Sequence, residues 1–346
     1  MVVWQVGLIV TGGFTAVVGS AVLHGDRCTL LTPIGKLILQ HMRHELAALL
    51  LISCATAYAM AEESAGTVAH PDWSPNGTQL AFEANWHGAR NIYVMDIDGS
   101  HVRQLTFGEA MDTYPRYSSD GHWLVFLSRR HALFSMHLVR PDGTDERALL
   151  PADGNLEPAF SPDGRWVAFR SYLNGDDPDG EIMLVDVLGE HLRRLTDNTV
   201  EEGYPAFSAD GRSLFFHRTV EDFQQIIMLD LETGAEMQLT SNDFNSWHAH
   251  ASPDGRQIVY DGNQAGNRDI YLMDMENHRV TQLTSDPGRD EYPKFSSDGR
   301  RIAFHSDRGG SMAIYVMNAD GSEQAPVIPQ WPVAKSTESD IENSAN

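Results

Sequence analysis

A short phrase recurs six times along this chain: an aromatic residue in five of six copies, then Ser-x-Asp-Gly or Ser-x-Asn-Gly, then a short run rich in apolar residues. Its turn glycines are Gly77, Gly121, Gly164, Gly211, Gly255 and Gly299, spaced 44, 43, 47, 44 and 44 residues apart. A fixed period of this length restricts the chain to a stacked or circular array of one small unit. Asp-Gly and Asn-Gly suit tight hairpin turns, because their residues tolerate positive φ. Each turn therefore separates a strand A from a strand B, such as Leu124–Phe126 or Val167–Phe169. Strand C follows a loop, as in 92–95, 182–185, 226–229 and 270–273. After a second turn comes strand D, which ends in Leu-Thr at Leu105-Thr106, Leu195-Thr196, Leu239-Thr240 and Leu283-Thr284.

Strands B and C are apolar at nearly every position, so both of their faces must be covered. Four antiparallel strands per unit, each sheet sandwiched by its neighbours, predict an all-β, six-bladed β-propeller of four-stranded antiparallel blades over residues 68–328. An open solenoid would leave two apolar end faces without caps. Every repeat begins with strand A, so no spare N-terminal strand is available to complete blade six. That blade ends in Ala325-Pro326-Val327-Ile328 where four of the others have Leu-Thr. Proline is tolerable there if D is an outer edge strand. Residues 329–346 lack the period and are expected to form a disordered tail.

The Pro-x-aromatic-Ser-Pro-Asp-Gly, Ile-Tyr-x-Met-Asp and Leu-Thr grammar resembles the propeller repeat of the TolB family of bacterial envelope proteins, over about residues 68–325. The resemblance implies a TolB-like interaction module of the cell envelope that binds a protein or peptide. TolB resembles a propeller preceded by an α/β domain, and only about six residues lie here between Glu62 and the first blade. A role that depends on that domain is not implied.

Residues 42–61 have a basic start, an apolar run from Leu46 and a small-x-small ending at Ala59-Met60-Ala61, the form of a secretory signal cleaved before Glu62. A second reading takes Leu51-Ile52-Ser53-Cys54 as a lipobox that would leave a lipid on Cys54. Residues 1–41 read either as an extension ahead of a true start at Met42 or as a membrane segment within Val2–Leu23. The expected location is periplasmic, or lipid-anchored to an envelope membrane, with membrane contact only through the N-terminus. Both cysteines, Cys28 and Cys54, precede Glu62, which suits an oxidising compartment. The formal net charge of −23 excludes nucleic acid as a natural partner.

No Gly-x-Ser-x-Gly elbow and no phosphate-cradling loop is present. The fourth position before each turn serine runs His70, Tyr114, Glu157, Tyr204, His248, Tyr292 around the ring, one candidate ligand-binding residue per blade at the channel rim. Blade five breaks the phrase, with Ala249 and Ala251 where other blades have proline and an aromatic. Residues two apart in a strand share a side, so His248 and His250 are expected to converge. The sixth residue after each turn glycine adds His217, Asp261 and His305 at the same end. Imidazoles with a carboxylate suit a divalent transition metal. Asn245-x-x-His248-x-His250 also resembles the Gln-x-x-His-x-His arrangement of the oligogalacturonide lyases, which hold a metal in a related propeller. That resemblance implies an alternative, a metal-dependent enzyme with Asn245 in the amide position and no residue here matching the lyases' catalytic arginine. Ordinary polar lining of the channel is the competing reading of the same histidines. Two further acidic features are singled out. The loop 174–180 has oxygen ligands but lacks the full spacing of a calcium loop, so a solvated loop is expected over a calcium site. Asp112, Glu202 and Asp290, six before their serines, are expected to add negative potential to the rim.

Overall fold

The computed structural model describes residues 67–329, apart from 131–132, 152–153, 173–178, 242 and 328, together with three N-terminal strands. Those strands are β1 (Val3–Val6), β2 (Gly19–His24) and β3 (Arg27–Leu30), an antiparallel sheet in the order β1-β2-β3. The expected signal segment 42–61 with Cys54, most of the 174–180 loop and almost all of the expected tail lie outside the described residues.

From Val68 onward the chain forms six four-stranded antiparallel sheets, each in sequential order A-B-C-D. The A strands are β4 (Val68–Trp73), β8 (Asp112–Tyr117), β12 (Asn155–Phe160), β16 (Glu202–Phe207), β20 (Ser246–Ala251) and β24 (Asp290–Phe295). Each touches the A strand of the next blade around the ring, β24 against β4 included, so the A strands line the central channel. The B strands are β5 (Gln79–His87), β9 (Leu124–Ser128), β13 (Trp166–Ser171), β17 (Ser213–Val220), β21 (Gln257–Gly262) and β25 (Arg301–Ser306). Their interiors are buried throughout, as the continuous apolar runs require. The core is accordingly a set of clusters in which the strands of one blade pack against the next.

Local chemistry explains the repeated words. In the A–B turn, the Ser74 hydroxyl donates to Asn76 (2.8 Å) and accepts the Gln79 amide (2.9 Å), while the Gly77 amide donates to the Ser74 carbonyl (2.8 Å). The same set recurs at Ser118, Ser161, Ser208, Ser252 and Ser296. The turn glycines sit at φ between 68° and 70°, where a side chain would be strained. In the Leu-Thr word, the threonine hydroxyl accepts the first amide of the strand C apolar run: Ile92 to Thr106 (3.0 Å), and Ile182, Ile226 and Ile270 to Thr196, Thr240 and Thr284 (each 2.9 Å). Blade six replaces the leucine by Val327, whose amide donates to Ile314 as Leu105 donates to Ile92, both at 2.8 Å.

The ring closes without exchanging a strand. Val68, Trp73 and Phe82 of blade one pack with Ala303, Ile314 and Val327 of blade six. The Val68 amide donates to the Met312 carbonyl (3.2 Å), and the Trp73 indole to the Lys294 carbonyl (3.0 Å).

Candidate functional site

Every A strand carries a β-bulge at the same place. In blade one Ala69 pairs with Glu83 and Asp72 with Ala81, so His70 and Pro71 together face a single residue of β5. The five other blades show the same shift. The residue at the bulge is the fourth before the turn serine, and it has positive φ in all six: His70 52°, Tyr114 54°, Glu157 58°, Tyr204 53°, His248 51°, Tyr292 57°. For bulky residues that conformation costs about 1–2 kcal/mol each, so its sixfold recurrence marks a position the fold holds by force.

The force comes from the neighbouring blade. Glu83 accepts the Tyr114 amide (2.9 Å), Glu157 the Tyr204 amide (2.7 Å), Asp261 the Tyr292 amide (3.2 Å) and His305 the His70 amide (3.2 Å). These four hydrogen bonds offset part of the strain, most at Tyr114, where the acceptor Glu83 is held ionised. Gly203 makes room for one of these acceptors, since a Cβ there would lie 2.7 Å from the Glu157 carboxylate.

These six side chains meet on the axis and close the channel. The hydroxyls of Tyr114, Tyr204 and Tyr292, from alternate blades, form a triangle with edges of 3.1, 3.1 and 2.7 Å. His70 stacks on Tyr114 with ring centres 4.0 Å apart, and His248 on Tyr292 at 3.8 Å. Burial pushes all three phenols above their ordinary value, so they are neutral donors and acceptors at physiological pH. Behind the plug, His70 contacts Glu83 (2.9 Å), which also takes Arg90 (2.7 Å) and the Thr113 hydroxyl. His248 contacts Asp261 at 2.6 Å. Burial drives the imidazole down and the carboxyl up, so this pair shares one proton.

The sequence-derived residues thus divide. The six rim candidates converge, as a plug across the bore. The residues singled out for a metal do not form one centre. Asn245 accepts the Gln224 amide (2.8 Å) at the joint between blades four and five, and His250 accepts the Phe295 amide (3.2 Å). His305 uses one nitrogen on His70 and the other on Glu291 (3.2 Å). His217 is buried 5.3 Å from the Tyr204 ring, and its Nδ1 has no hydrogen-bond partner among the described residues. Among the described residues, the one set of three such groups with ligand atoms within 4.8 Å of one another is elsewhere, at Asp186, Glu190 and His191 on a blade-three turn. The rim acids also differ from expectation. Asp112, Glu202 and Asp290 are fully buried, and Glu202 pairs with Arg218 (2.5 Å) and Asp290 with Arg308 (2.6 Å), so they tie strands together and lend the rim little potential.

Sequence reasoning missed Arg116 and Lys294, two buried cations one layer further along the channel. Their position, second before the turn serine, could have been lined up in the same way.

Fold and site define a six-bladed propeller whose bore is closed by one side chain from each blade. The chain belongs to the TolB beta propeller domain family, whose model matches residues 40–149, 142–261 and 221–330. A TolB homolog of Chlorobium chlorochromatii is 32% identical over 141 residues, covering 40% of this chain and 31% of that protein. The stretches matched in the curated relatives reach 53% of the first and less of the next two, so the chain spans about half their length or less. Among solved structures, TolB from Acinetobacter baumannii superposes with a TM-score of 0.63 at 18% identity, covering 93% of this chain and 78% of that one. An oligogalacturonate lyase in complex with manganese superposes at 0.55 with 19% identity, covering 78% and 80%. Both likenesses are of fold.

Proposed function

We propose that this protein is a TolB-like propeller of the bacterial cell envelope that binds a protein or peptide on the face where the A strands begin. The observation that carries the reading is the plug. A bore closed by six side chains locked from behind suits a rigid floor framed by loops, and rigid floors bind extended or protruding segments at low ordering cost. Tyr114 and Tyr204 are the least buried of the six, and Phe107, 72% exposed, stands on the loop leading into β8 at the same face. Relatives named as Tol-Pal system protein TolB support the envelope setting.

A photo-cross-linking residue placed at Phe107 in the cell is expected to give a discrete adduct. One at Met237, on the outer strand of blade four, is expected to give none. Tyr204→Ala should weaken the Phe107 adduct. Equal yields from both positions would remove the binding face. Recovery of the tagged protein in the cytoplasmic fraction would remove the envelope location.

A further inference from the structure

The ring next to the plug is built by the second residue before each turn serine: Asp72, Arg116, Ala159, Ala206, His250 and Lys294. Blades three and four contribute only methyl groups. A cavity of about 10 Å³ lies between this ring and the plug, lined by Arg116 and Lys294 together with Glu157, Tyr204, His248 and Tyr292 and by Pro158, Pro205 and Ala249. That is room for one occupant of about the size of a water molecule.

Both cations are more than nine-tenths buried, with Lys294 9% and Arg116 8% exposed. Among the described residues the Lys294 ammonium has no hydrogen bond and no ion pair. The Arg116 guanidinium makes one hydrogen bond, to the carbonyl of its own neighbour Pro115 (2.8 Å). Asp72 spends an oxygen on the Tyr117 amide (2.8 Å), and no ion pair within 4.0 Å joins it to either cation. Buried charges are ordinarily paired, because an unpaired one costs several kcal/mol. Here two share one cavity, and Asp72, beyond ion-pair distance, is the one carboxylate that acts on both, so one positive charge is left over.

We infer that this cavity is a binding site for one small monovalent anion of about halide size, held between the Arg116 guanidinium and the Lys294 ammonium. Burial, with Arg116 adding repulsion, pushes the Lys294 amine down to about 7, while Asp72 draws it back up. Burial likewise keeps His248 and His250 neutral and pushes Glu157 up to about 7. An anion is therefore accepted best below neutral pH, with Lys294 charged and Glu157 protonated. It requires no partner on the plug face.

The chain has three lysines, Lys36, Lys294 and Lys335, so lysine labelled with ¹³C at Cε gives few and assignable resonances. In full-length protein held in a buffer whose only anion is the bulky gluconate, chloride is titrated in, with acetate as the larger comparison. The Lys294 resonance is expected to shift saturably and its titration midpoint to rise by about one pH unit, a tenfold effect, with Lys335 unmoved. Arg116→Met should abolish the response, and Glu157→Gln should preserve it. A response to chloride that weakens with the larger acetate assigns a halide-sized site, and a response to acetate alone overturns it. No response, an equal shift at Lys335, or a midpoint governed by Glu157→Gln and by no added anion overturns the inference.

Discussion

Three glutamates around the plug are equally buried yet respond to their surroundings in opposite ways. Burial pushes Glu83 and Glu291 upward, but His70 and Arg90 outweigh it at the first, and Arg268 with His305 at the second, so both sit below the ordinary carboxylate range. Each contributes stability that is complete above the unfolded value of 4.5 and lost as pH falls below it. Glu157 has Arg170 nearby but gains less from it, and burial raises it to about 7. The unfolded chain then releases this proton before the folded one, so stability falls as pH rises from 4.5 to about 7. Glu157→Gln keeps an acceptor for the Tyr204 amide and removes the ionisation. It should stabilise by up to about 3 kcal/mol at pH 8 and by almost nothing at pH 4.5, as read by urea unfolding at the two values. The tyrosine triangle gives a second residue-scale expectation. One Tyr204→Phe change leaves two hydroxyls short of a partner and should cost about 1–2 kcal/mol. Replacing Tyr114, Tyr204 and Tyr292 together leaves none short and should cost less than the sum of the three single changes, measured in the same assay.

The elements were the most legible level, and the bulge shows where legibility ended. Period, turn glycines and unbroken apolar runs translate directly into strands, because each reports a local requirement that nothing elsewhere in the chain overrides. The side on which a residue points does not follow so directly. Expecting His248 and His250 to converge assumes an unbroken alternation, and the bulge at His248 interrupts it, placing the first in the plug and the second against Phe295. The six rim positions were found by counting alone, but the cause of their convergence lies in amide acceptors from other blades. Blade five keeps the same bulge and the same positive φ although it has Ala249 in place of proline. Ala249 borders the small cavity, which leaves room for a ring. Ala249→Pro should therefore stabilise by about 0.4–1 kcal/mol through loss of freedom in the unfolded chain. A thermal melt that drops would show that the Ala249 amide or the space around it is needed, which five proline-bearing blades argue against.

At the scale of the molecule, the seam between blades six and one was the feature no local pattern could supply. Blade six lacks the Leu-Thr word, yet Val327 makes the backbone bond of the absent leucine and packs with Trp73 and Phe82. Arg301 lies over the Trp73 ring at 4.9 Å across the seam and reaches the Gly77 carbonyl (3.3 Å), much as Arg103 reaches the Pro141 carbonyl (3.1 Å) between blades one and two and Arg147 the Val187 carbonyl (2.8 Å) between blades two and three. The seam is thus built from the same contacts as the other joints, and no blade borrows a strand from a distant part of the chain. It follows that the position of the chain break should matter little, since every blade stays contiguous wherever the break falls between blades. A permutant in which a short Gly/Ser linker joins Val327 to Thr67, with new ends between Ser241 and Asn242, should unfold in one transition within about 5 °C of the parent. A permutant that stays unfolded, or that loses one blade early by hydrogen exchange, would mean that the seam depends on chain ends held where they now lie.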